Sequence, residues 1–307
     1  MLFELAYPGL CLAEGLGQLM GRRRLAGTPY TYRATRCRMQ RREIDLLSKV
    51  SPRWAARVAL RRFEAMRPRV QGDRLTTSPK RASGVDGTLV DKRFGPHNGP
   101  CVLLLHGWNA SGDMMYPLAK ALAGHGAHVV VPDLPGEGAN PRAILSFTEK
   151  ARIIAECYSE LSFEAIIGHS AGGLIAAQAM EHGAKSQRLV TVCSPLSMAT
   201  LLGAYLVKTD APIPVFDAIL AHYERRERRN PHQVGAALFK SMAGRITIVH
   251  AQKDWQVKVS EGHAIADLCT TQPYVLDQCN HHTILDDLRL HDFVASTVFP
   301  AKAGSVC

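Results

Sequence analysis

Short apolar runs alternate with helical patterns along the chain from residue 100 onward. The runs consist of consecutive Val, Ile and Leu without polar alternation, which is typical of strands covered on both faces and therefore of a parallel sheet. They are CVLLL at 101–105, AHVVVPD at 127–133, FEAII at 163–167, LVTVC at 189–193, ITIVH at 246–250 and PYVLD at 273–277. Helical periodicity falls between them, at about 113–123, 148–161, 174–180, 259–269 and 286–298. The pattern predicts an α/β fold with a mostly parallel central sheet and, through right-handed crossovers, helices on both faces.

One further segment precedes this alternation and another interrupts it. GTLVDKRFG at 87–95 predicts one arm of an antiparallel edge hairpin. About fifty residues separate the strands that end at Cys193 and begin at Ile246, and they contain two helical stretches. Insertions of this length are usually functional, so we expect a small helical cap at about 195–245, over the carboxyl edge of the sheet. The predicted organisation is an extension at 1–80, basic and helical, followed by an α/β domain at 81–307.

Composition and cysteine usage fit a globular protein with a sizeable core. Hydrophobic residues make up 46% of the 307 residues, and no apolar run approaches the roughly 18 residues of a membrane span. The first twenty residues lack a basic start and contain Glu4, Pro8 and Glu14, which predicts a helical extension and not a secretory signal. The eight cysteines form no C-x-x-C pair, so a zinc site has no support. We expect reduced thiols and a cytoplasmic protein.

Positive charge is concentrated near the start of the chain. Residues 21–93 hold 20 of the 37 Lys and Arg against six acids, whereas the whole chain has a net charge of +10. Such a segment suits an anionic membrane or nucleic acid, or else forms a solvated arm or a helix pair lying on the domain, which we favour. No zinc finger and no aromatic pattern for binding single-stranded nucleic acid accompanies the basic residues, which argues against a nucleic-acid partner. Peripheral membrane contact stays open, as does the oligomeric state.

A glycine-rich turn, GHSAGG at 168–173, joins a predicted strand to a predicted helix. One interpretation is a tight connection that needs small residues. The other is a nucleophile elbow. In it Ser170 exposes its hydroxyl at the turn, Gly168 and Gly172 let neighbouring backbone pass, and the amide of Ala171 points toward an oxyanion. A serine hydroxyl is a poor nucleophile at neutral pH, so this interpretation requires a base and an acid elsewhere.

Polar residues follow other predicted strands at their carboxyl ends, where open α/β sheets bind ligands. His106, Gly107 and Trp108 come after VLLL, Asp254 lies in the loop after ITIV, and the pair His281-His282 follows YVLD. The order along the chain is oxyanion loop, Ser, Asp, His, which is the order of the triad in α/β-hydrolases.

The chain resembles the α/β-hydrolase superfamily, especially small single-domain bacterial hydrolases with an arginine-rich leader. The resemblance covers about 85–299. It rests on LLLHGWNAS, VVVPDLPGEGAN, IIGHSAGG, VHAQKDWQV and NHHTILDD. One departure is PGEGAN, because the family commonly has His where Glu137 stands and Ser where Asn140 stands. This loop is not part of the triad, so the implied chemistry is unaffected.

The resemblance implies a serine hydrolase that cleaves a carboxylic ester or thioester. Ser170 would be the nucleophile, Asp254 the acid, and the backbone N–H groups of Trp108 and Ala171 the oxyanion hole, with Gly107 and His106 supporting the loop. We favour His281 over His282 as the base, because in the family the catalytic histidine typically precedes two variable residues and then an apolar pair that starts the last helix. No metal or organic cofactor is implied. The alternative is a catalytically silent, ligand-binding protein of the same fold.

Overall fold

The computed structural model describes residues 38–65, 80–81 and 88–299. The helical extension predicted for the first twenty residues lies outside the described residues. The described chain divides into two compact units. One contains the sheet and comprises the described parts of 65–196 and 235–307, and the other combines the described part of 1–64 with 197–234.

The sheet unit contains a seven-stranded sheet in the order β3-β5-β4-β6-β7-β8-β9. Strand β3 lies at the edge and runs antiparallel to β5, and all other pairs are parallel. The strands are β1 (Lys80–Arg81), β2 (Thr88–Leu89), β3 (Asp91–Phe94), β4 (Cys101–Leu105), β5 (His128–Pro132), β6 (Ser162–His169), β7 (Lys185–Val192), β8 (Ile246–Ala251) and β9 (Tyr274–Leu276). Strands β1 and β2 form a separate antiparallel pair. The predicted mostly parallel α/β-hydrolase fold with an antiparallel edge is confirmed.

Ten α-helices lie within the described residues. They are α1 (Arg38–Val50), α2 (Pro52–Glu64), α3 (Tyr116–Gly124), α4 (Phe147–Cys157), α5 (Ala171–Glu181), α6 (Met198–Lys208), α7 (Ile213–Glu227), α8 (Ala236–Ser241), α9 (Val259–Leu268) and α10 (Leu288–Val298). Helix α4 begins with a capping box in which Ser146 Oγ accepts the N–H of Glu149 and the Glu149 carboxylate accepts the N–H of Ser146. The helix predicted at 286–298 begins two residues later, because Asp287 caps it and a 3₁₀ turn occupies Thr283–Asp286.

The core of the sheet unit packs one face of the sheet against helices α3 and α10. Val102, Val129, Ile167 and Val190 of the strands are all 0% exposed, as is Leu290 of α10. Burial on this scale explains the uninterrupted apolar runs, because residues on both faces of a central parallel strand are removed from water.

The second unit brings the described leader helices together with the insertion helices. The ring centroids of Phe63 in α2 and Tyr205 in α6 lie 5.3 Å apart. Arg226 in α7 donates through Nη1 and Nη2 to the two carboxylate oxygens of Glu64, at 2.8 and 2.5 Å. The sequence assigned these two segments separately, and their association is a finding of the structure.

Within the described residues, the cysteines do not form a disulfide bridge, and the helices do not include a candidate membrane span. The five cysteines within the described residues are free thiols. Over residues 38–65, 80–81 and 88–299, no helix combines the length and apolar character that crossing a bilayer requires.

Candidate active site

Ser170 occupies a strained turn between β6 and α5. Its backbone has φ 55° and ψ −128°, a region that residues with a side chain rarely adopt. Its N–H donates to the carbonyl of Val192 at 2.8 Å, and Ser194 Oγ donates to its carbonyl at 3.0 Å. Strain held by such surrounding bonds is typical of functional positions. The turn therefore has the backbone geometry expected of a nucleophile elbow.

Three glycines at or near this turn allow neighbouring parts of the chain to approach closely. A Cβ atom on Gly168 would lie 2.4 Å from the carbonyl of Gly172, and one on Gly172 would lie 2.4 Å from the oxygen of Leu105. A Cβ atom on Gly107 would lie 3.0 Å from the Cβ of Ser170. Because real Cβ atoms do not approach backbone at 2.4 Å, Gly168 and Gly172 are required to be glycine, whereas a Cβ atom on Gly107 would press on the side chain of Ser170. The short distance between Gly107 and Ser170 places the loop after β4 directly against Ser170.

Asp254 and His281 form a buried hydrogen-bonded pair. The distance between Asp254 Oδ2 and His281 Nδ1 is 2.6 Å, and the two residues are 7% and 3% exposed. Asp254 Oδ1 accepts the N–H groups of Gln256 and Val257, both at 2.8 Å. The carboxylate is therefore held from both sides, and it fixes the orientation of the imidazole.

The electrostatics of the pair favour an ionised acid. Burial alone would raise the pKa of Asp254, but the hydrogen bond and charge of His281, together with the N–H of Val257, lower it below the ordinary value of a carboxyl. Asp254 therefore carries a negative charge at neutral pH. A charged acid at Nδ1 holds the proton of the neutral imidazole there and leaves Nε2 as the basic nitrogen.

The ring of His282 packs edge-on against that of His281, with the two ring centroids 5.2 Å apart. The His282 ring is exposed, and its Nε2 lies 2.5 Å from the side-chain nitrogen of Gln256. Ile284 and Leu285, the apolar pair on which the choice of His281 rested, are buried at 0% and 2% exposure, but they lie in the 3₁₀ turn before α10 and not, as expected from the sequence, at the start of that helix. The structure thus brings His281, and not His282, to Asp254.

His169 is a site residue that sequence reasoning missed. It is 1% exposed, its Nε2–H donates to the carbonyl of His281 at 2.8 Å, and the two ring centroids lie 4.7 Å apart. Burial lowers the pKa of His169 well below its ordinary value, with a further contribution from His281. The ring is therefore neutral. Since His169 directly precedes Ser170, its hydrogen bond connects His281 to the turn that carries the serine. Its position directly before the serine was the only available signal.

The loop after β4 is fixed by His106. The N–H of Leu134 donates to His106 Nε2 at 2.8 Å, so the ring proton sits on Nδ1 and donates to the carbonyl of Gly107, also at 2.8 Å. His106 thus holds the loop and has neither nitrogen available for proton transfer. Trp108 follows Gly107 in this loop, and Ala171 is the first residue of α5, where helical N–H groups lack an intrahelical acceptor.

One buried group of metal-ligating types occurs within the described residues. Ligand atoms of Cys193, His250 and Asp254 lie within 4.8 Å of one another. Burial, with a further contribution from the charge of Asp254, raises the pKa of the Cys193 thiol well above its ordinary value, so the thiol stays protonated. His250 Nε2–H donates to the carbonyl of Val257 at 3.0 Å, and burial lowers its pKa. A protonated thiol and an occupied nitrogen suit a hydrogen-bonded cluster around Asp254 better than a metal ion.

These contacts form one chain of neighbours from Ser170 through His169 and His281 to Asp254. A hydroxyl on a strained turn, with Ser170 9% exposed, an oriented imidazole and an ionised acid are the parts that nucleophilic catalysis by serine requires. The catalytic roles of Ser170, Asp254 and His281, and of the Trp108 and Ala171 amides, stay predictions.

The sequence of the chain is similar to those of known proteins. Residues 102–295 match the sequence profile of the alpha/beta hydrolase family. The magnesium-chelatase 30 kDa subunit of Rhodobacter capsulatus is 36% identical over 110 residues, which are 34% of this chain and 38% of that protein. The pimeloyl-[acyl-carrier protein] methyl ester esterase of Aeromonas hydrophila is 38% identical over 114 residues, or 35% of this chain and 42% of that protein. The chain thus spans about two fifths of the length of these curated relatives.

The fold also has solved relatives. An esterase from Exiguobacterium antarcticum aligns with a TM-score of 0.55 at 18% identity, over 73% of this chain and 99% of that structure. At this identity the likeness concerns the fold alone.

Proposed function

Because this chain belongs to the alpha/beta hydrolase family, we propose that it is a serine hydrolase of a carboxylic ester or thioester. The observation that carries the proposal is the 2.6 Å contact between His281 Nδ1 and Asp254 Oδ2, with His281 joined through His169 to the strained turn at Ser170. Any serine can occupy a turn, but a buried Asp–His pair beside it supplies the base and the acid that make it a nucleophile.

The reaction proceeds through an acyl-enzyme. Ser170 Oγ attacks the carbonyl carbon while His281 Nε2 takes its proton, and Asp254 stabilises the imidazolium that forms. The N–H groups of Trp108 and Ala171 stabilise the oxyanion, each worth roughly 3 kcal/mol in comparable sites. The tetrahedral intermediate collapses as His281 returns the proton to the leaving alcohol or thiol. Water, deprotonated by His281, then attacks the acyl-enzyme and restores the serine.

Support for an ester substrate comes from the curated relative named as a methyl ester esterase. The match covers only 35% of this chain, so the acyl and leaving groups are not carried over from it. A screen of p-nitrophenyl esters of graded acyl length, followed by the matching thioesters, measures the preferred chain length and the leaving group.

Labelling with a fluorophosphonate tests the proposal directly. The wild-type protein should incorporate one equivalent at Ser170 and lose its esterase activity in parallel. Ser170→Ala should neither label nor turn over substrate, because the hydroxyl makes the covalent bond. The matched control is Ser241→Ala, since Ser241 lies on α8 and its hydroxyl donates only to Leu238 within that helix. Labelling of folded Ser170→Ala, or none of the wild type, contradicts the nucleophile assignment.

The second candidate is a ligand-binding protein of the same fold without catalysis. It is favoured by the relative whose name describes a magnesium-chelatase subunit and not a hydrolase. The two candidates differ in one observable. A binding protein retains its fold and binds a ligand, but neither reacts with fluorophosphonate nor releases p-nitrophenol, whereas the hydrolase does both.

The cytoplasmic location also belongs to the proposal. For the basic segment 21–93, contact with an anionic membrane is the alternative to the solvated arm or helix pair that we favour, and vesicle sedimentation distinguishes the two. Protein that sediments with phosphatidylglycerol vesicles but not with phosphatidylcholine vesicles, and is released by salt, supports the contact. Equal recovery with both lipids argues for a solvated segment.

A further inference from the structure

The loop PGEGAN at 135–140, where the sequence departs from the family it resembles, contributes one partner of a buried ion pair. Glu137 Oε1 lies 2.5 Å from Lys150 Nζ, and the side chains are 1% and 0% exposed. Lys150 belongs to α4, whose first turn is fixed by the capping box of Ser146 and Glu149. A buried charge is costly unless it is paired, so each of these residues requires the other. The pair is therefore built into the fold and does not lie on a solvated surface.

The second oxygen of Glu137 reaches the loop that carries Trp108. Glu137 Oε2 accepts the N–H of Ala110, at 3.3 Å. Two other bonds hold the same loop, from the N–H of Leu134 to His106 Nε2 at 2.8 Å and from the N–H of Gly112 to Asp133 Oδ1 at 2.6 Å. The Glu137 bond lies between them, two residues after Trp108.

The backbone between these anchors takes an uncommon conformation. Asn109, between Trp108 and Ala110, has φ 55°, in the left-handed region that residues with a side chain rarely adopt and that asparagine tolerates better than most. The Ala110 bond fixes the peptide unit that follows Asn109. Without an acceptor at that point the loop can relax, and the amide of Trp108 turns with it.

We infer that Glu137, held by the buried ammonium of Lys150, is a positioning residue for the oxyanion loop of the hydrolase. Glu137 contacts no reacting atom. It supplies a fixed acceptor for Ala110, and Lys150 supplies the charge that lets a carboxylate occupy that place. The inference rests on the proposed function, because it assigns the loop an oxyanion to bind.

Two double variants separate positioning from stability. Glu137→Met/Lys150→Met replaces the ion pair by apolar side chains of similar size and removes the acceptor. Glu137→Gln/Lys150→Met also removes both charges but keeps an amide oxygen for Ala110. We expect kcat for a p-nitrophenyl ester to fall at least about tenfold in the first variant, with KM within about twofold, and to stay within about threefold of wild type in the second. The order of stability should be the reverse, since a well-packed apolar pair is at least as stable as the buried ion pair, whereas the glutamine leaves donors unpaired.

The rate of inactivation by fluorophosphonate provides a second readout, because its phosphoryl oxygen uses the same amides. It should fall with kcat in the Met/Met variant. The control is Arg152→Met/Glu156→Gln, which removes an ion pair from the exposed face of the same helix and should change neither rate. Should the Met/Met protein not fold, Glu137→Asp keeps the charge for Lys150 but withdraws the second oxygen from Ala110, and should lower kcat at constant KM.

Equal kcat in the two double variants, or losses of kcat that follow the unfolding temperature, overturns the inference. Failure of the proposed function has a different signature, since wild-type protein would then not label at Ser170. A labelled wild type with unaffected Met/Met rates rejects only the role of Glu137.

Discussion

At the scale of single residues, the site depends on which imidazole meets the carboxylate. Asp254 accepts three hydrogen bonds, two from backbone N–H groups and one from His281 Nδ1. The backbone bonds hold the carboxylate before any substrate arrives, so the ring that touches Oδ2 is oriented for catalysis. His282, one residue away, points its Nε2 at the side chain of Gln256.

The adjacent histidines provide a matched pair of variants. His281→Ala should lower kcat by at least about 10³-fold, because the proton of Ser170 then has no acceptor. His282→Ala should keep most of the turnover, since its side chain is exposed and outside the Asp254 pair. Kinetics with a p-nitrophenyl ester measure both, and circular dichroism verifies folding. The reverse order of the two activities would reassign the base.

The buried histidines predict a loss of stability in acid. Burial lowers the pKa of His169 and of His250 in the folded protein, so the unfolded chain binds protons at pH values where the folded chain does not. The contribution of the two neutral histidines to the free energy of unfolding is fully present above the unfolded pKa of about 6.5, and it is lost as the pH falls below that value. The free energy of unfolding should decrease from pH 7 to pH 5, by up to about 1.4 kcal/mol per pH unit for each histidine.

Urea unfolding at fixed pH values between 5 and 8 measures this slope. His169→Gln keeps a donor for the carbonyl of His281 but cannot titrate, so the slope should become shallower. The exposed His125 supplies the comparison variant, His125→Gln. A slope that is the same in wild type and His169→Gln would show that His169 is not held neutral by the fold.

At the scale of elements, the elbow exists because β4, β6 and α5 approach one another through glycine. Leu105 at the end of β4 pairs with Gly168 near the end of β6. Gly172 lies in the first turn of α5, and a Cβ atom added there would lie 2.4 Å from the Leu105 oxygen. The strand pairing fixes this approach, so a side chain at the helix start must displace backbone.

Gly172→Ala should therefore destabilise the protein by about 1–3 kcal/mol, the usual cost of overpacking, and should lower kcat by moving Ser170 and the loop after β4 apart. Gly124→Ala is the control. Gly124 ends α3, its Cβ would meet no atom within 4 Å, and alanine there should be neutral or stabilising by up to about 1 kcal/mol. Thermal unfolding and ester kinetics compare them. Equal effects of the two substitutions would contradict a required close approach at Gly172.

At the scale of the whole molecule, the chain builds two compact units from segments that are not contiguous. The sheet unit has its own core within residues 102–298. The other unit joins helices α1 and α2 to α6 and α7, and buries Phe63 of α2 and Ile219 and Tyr223 of α7. The basic leader thus includes structural helices as well as charge.

Deleting residues 1–60 should lower solubility and thermal stability, because it removes α1 and most of α2 and exposes apolar side chains of α6 and α7. The deletion of residues 1–37 is the matched control, since it leaves all described helices complete. We expect the shorter protein to aggregate in size-exclusion chromatography and still label at Ser170 in its folded fraction. Equal solubility of the two deletions would argue against a structural role of α1 and α2.

The sequence by itself determined the fold of the sheet unit, because continuous apolar runs and helical periodicity report which faces are removed from water. The order of Ser170, Asp254 and the pair His281-His282 at strand ends likewise predicted that these residues lie at one edge of the sheet, since the carboxyl ends of parallel strands share an edge. These inferences need only local pattern and the rules of strand connection, whereas the choice of His281 over His282 came from the resemblance to the α/β-hydrolases.

Only the tertiary structure decided what each buried face and each charge contacts. An amphipathic helix shows that it needs a partner but not which one, so the pairing of α2 with α7 could not be read from either segment. Glu137 lies in a glycine-rich loop and has the pattern of a solvated residue. Lys150 comes 13 residues later on a helix that also carries exposed charges. Periodicity records exposure along one element, whereas the contact between Glu137 and Lys150 depends on how two elements pack, which is a property of the folded chain.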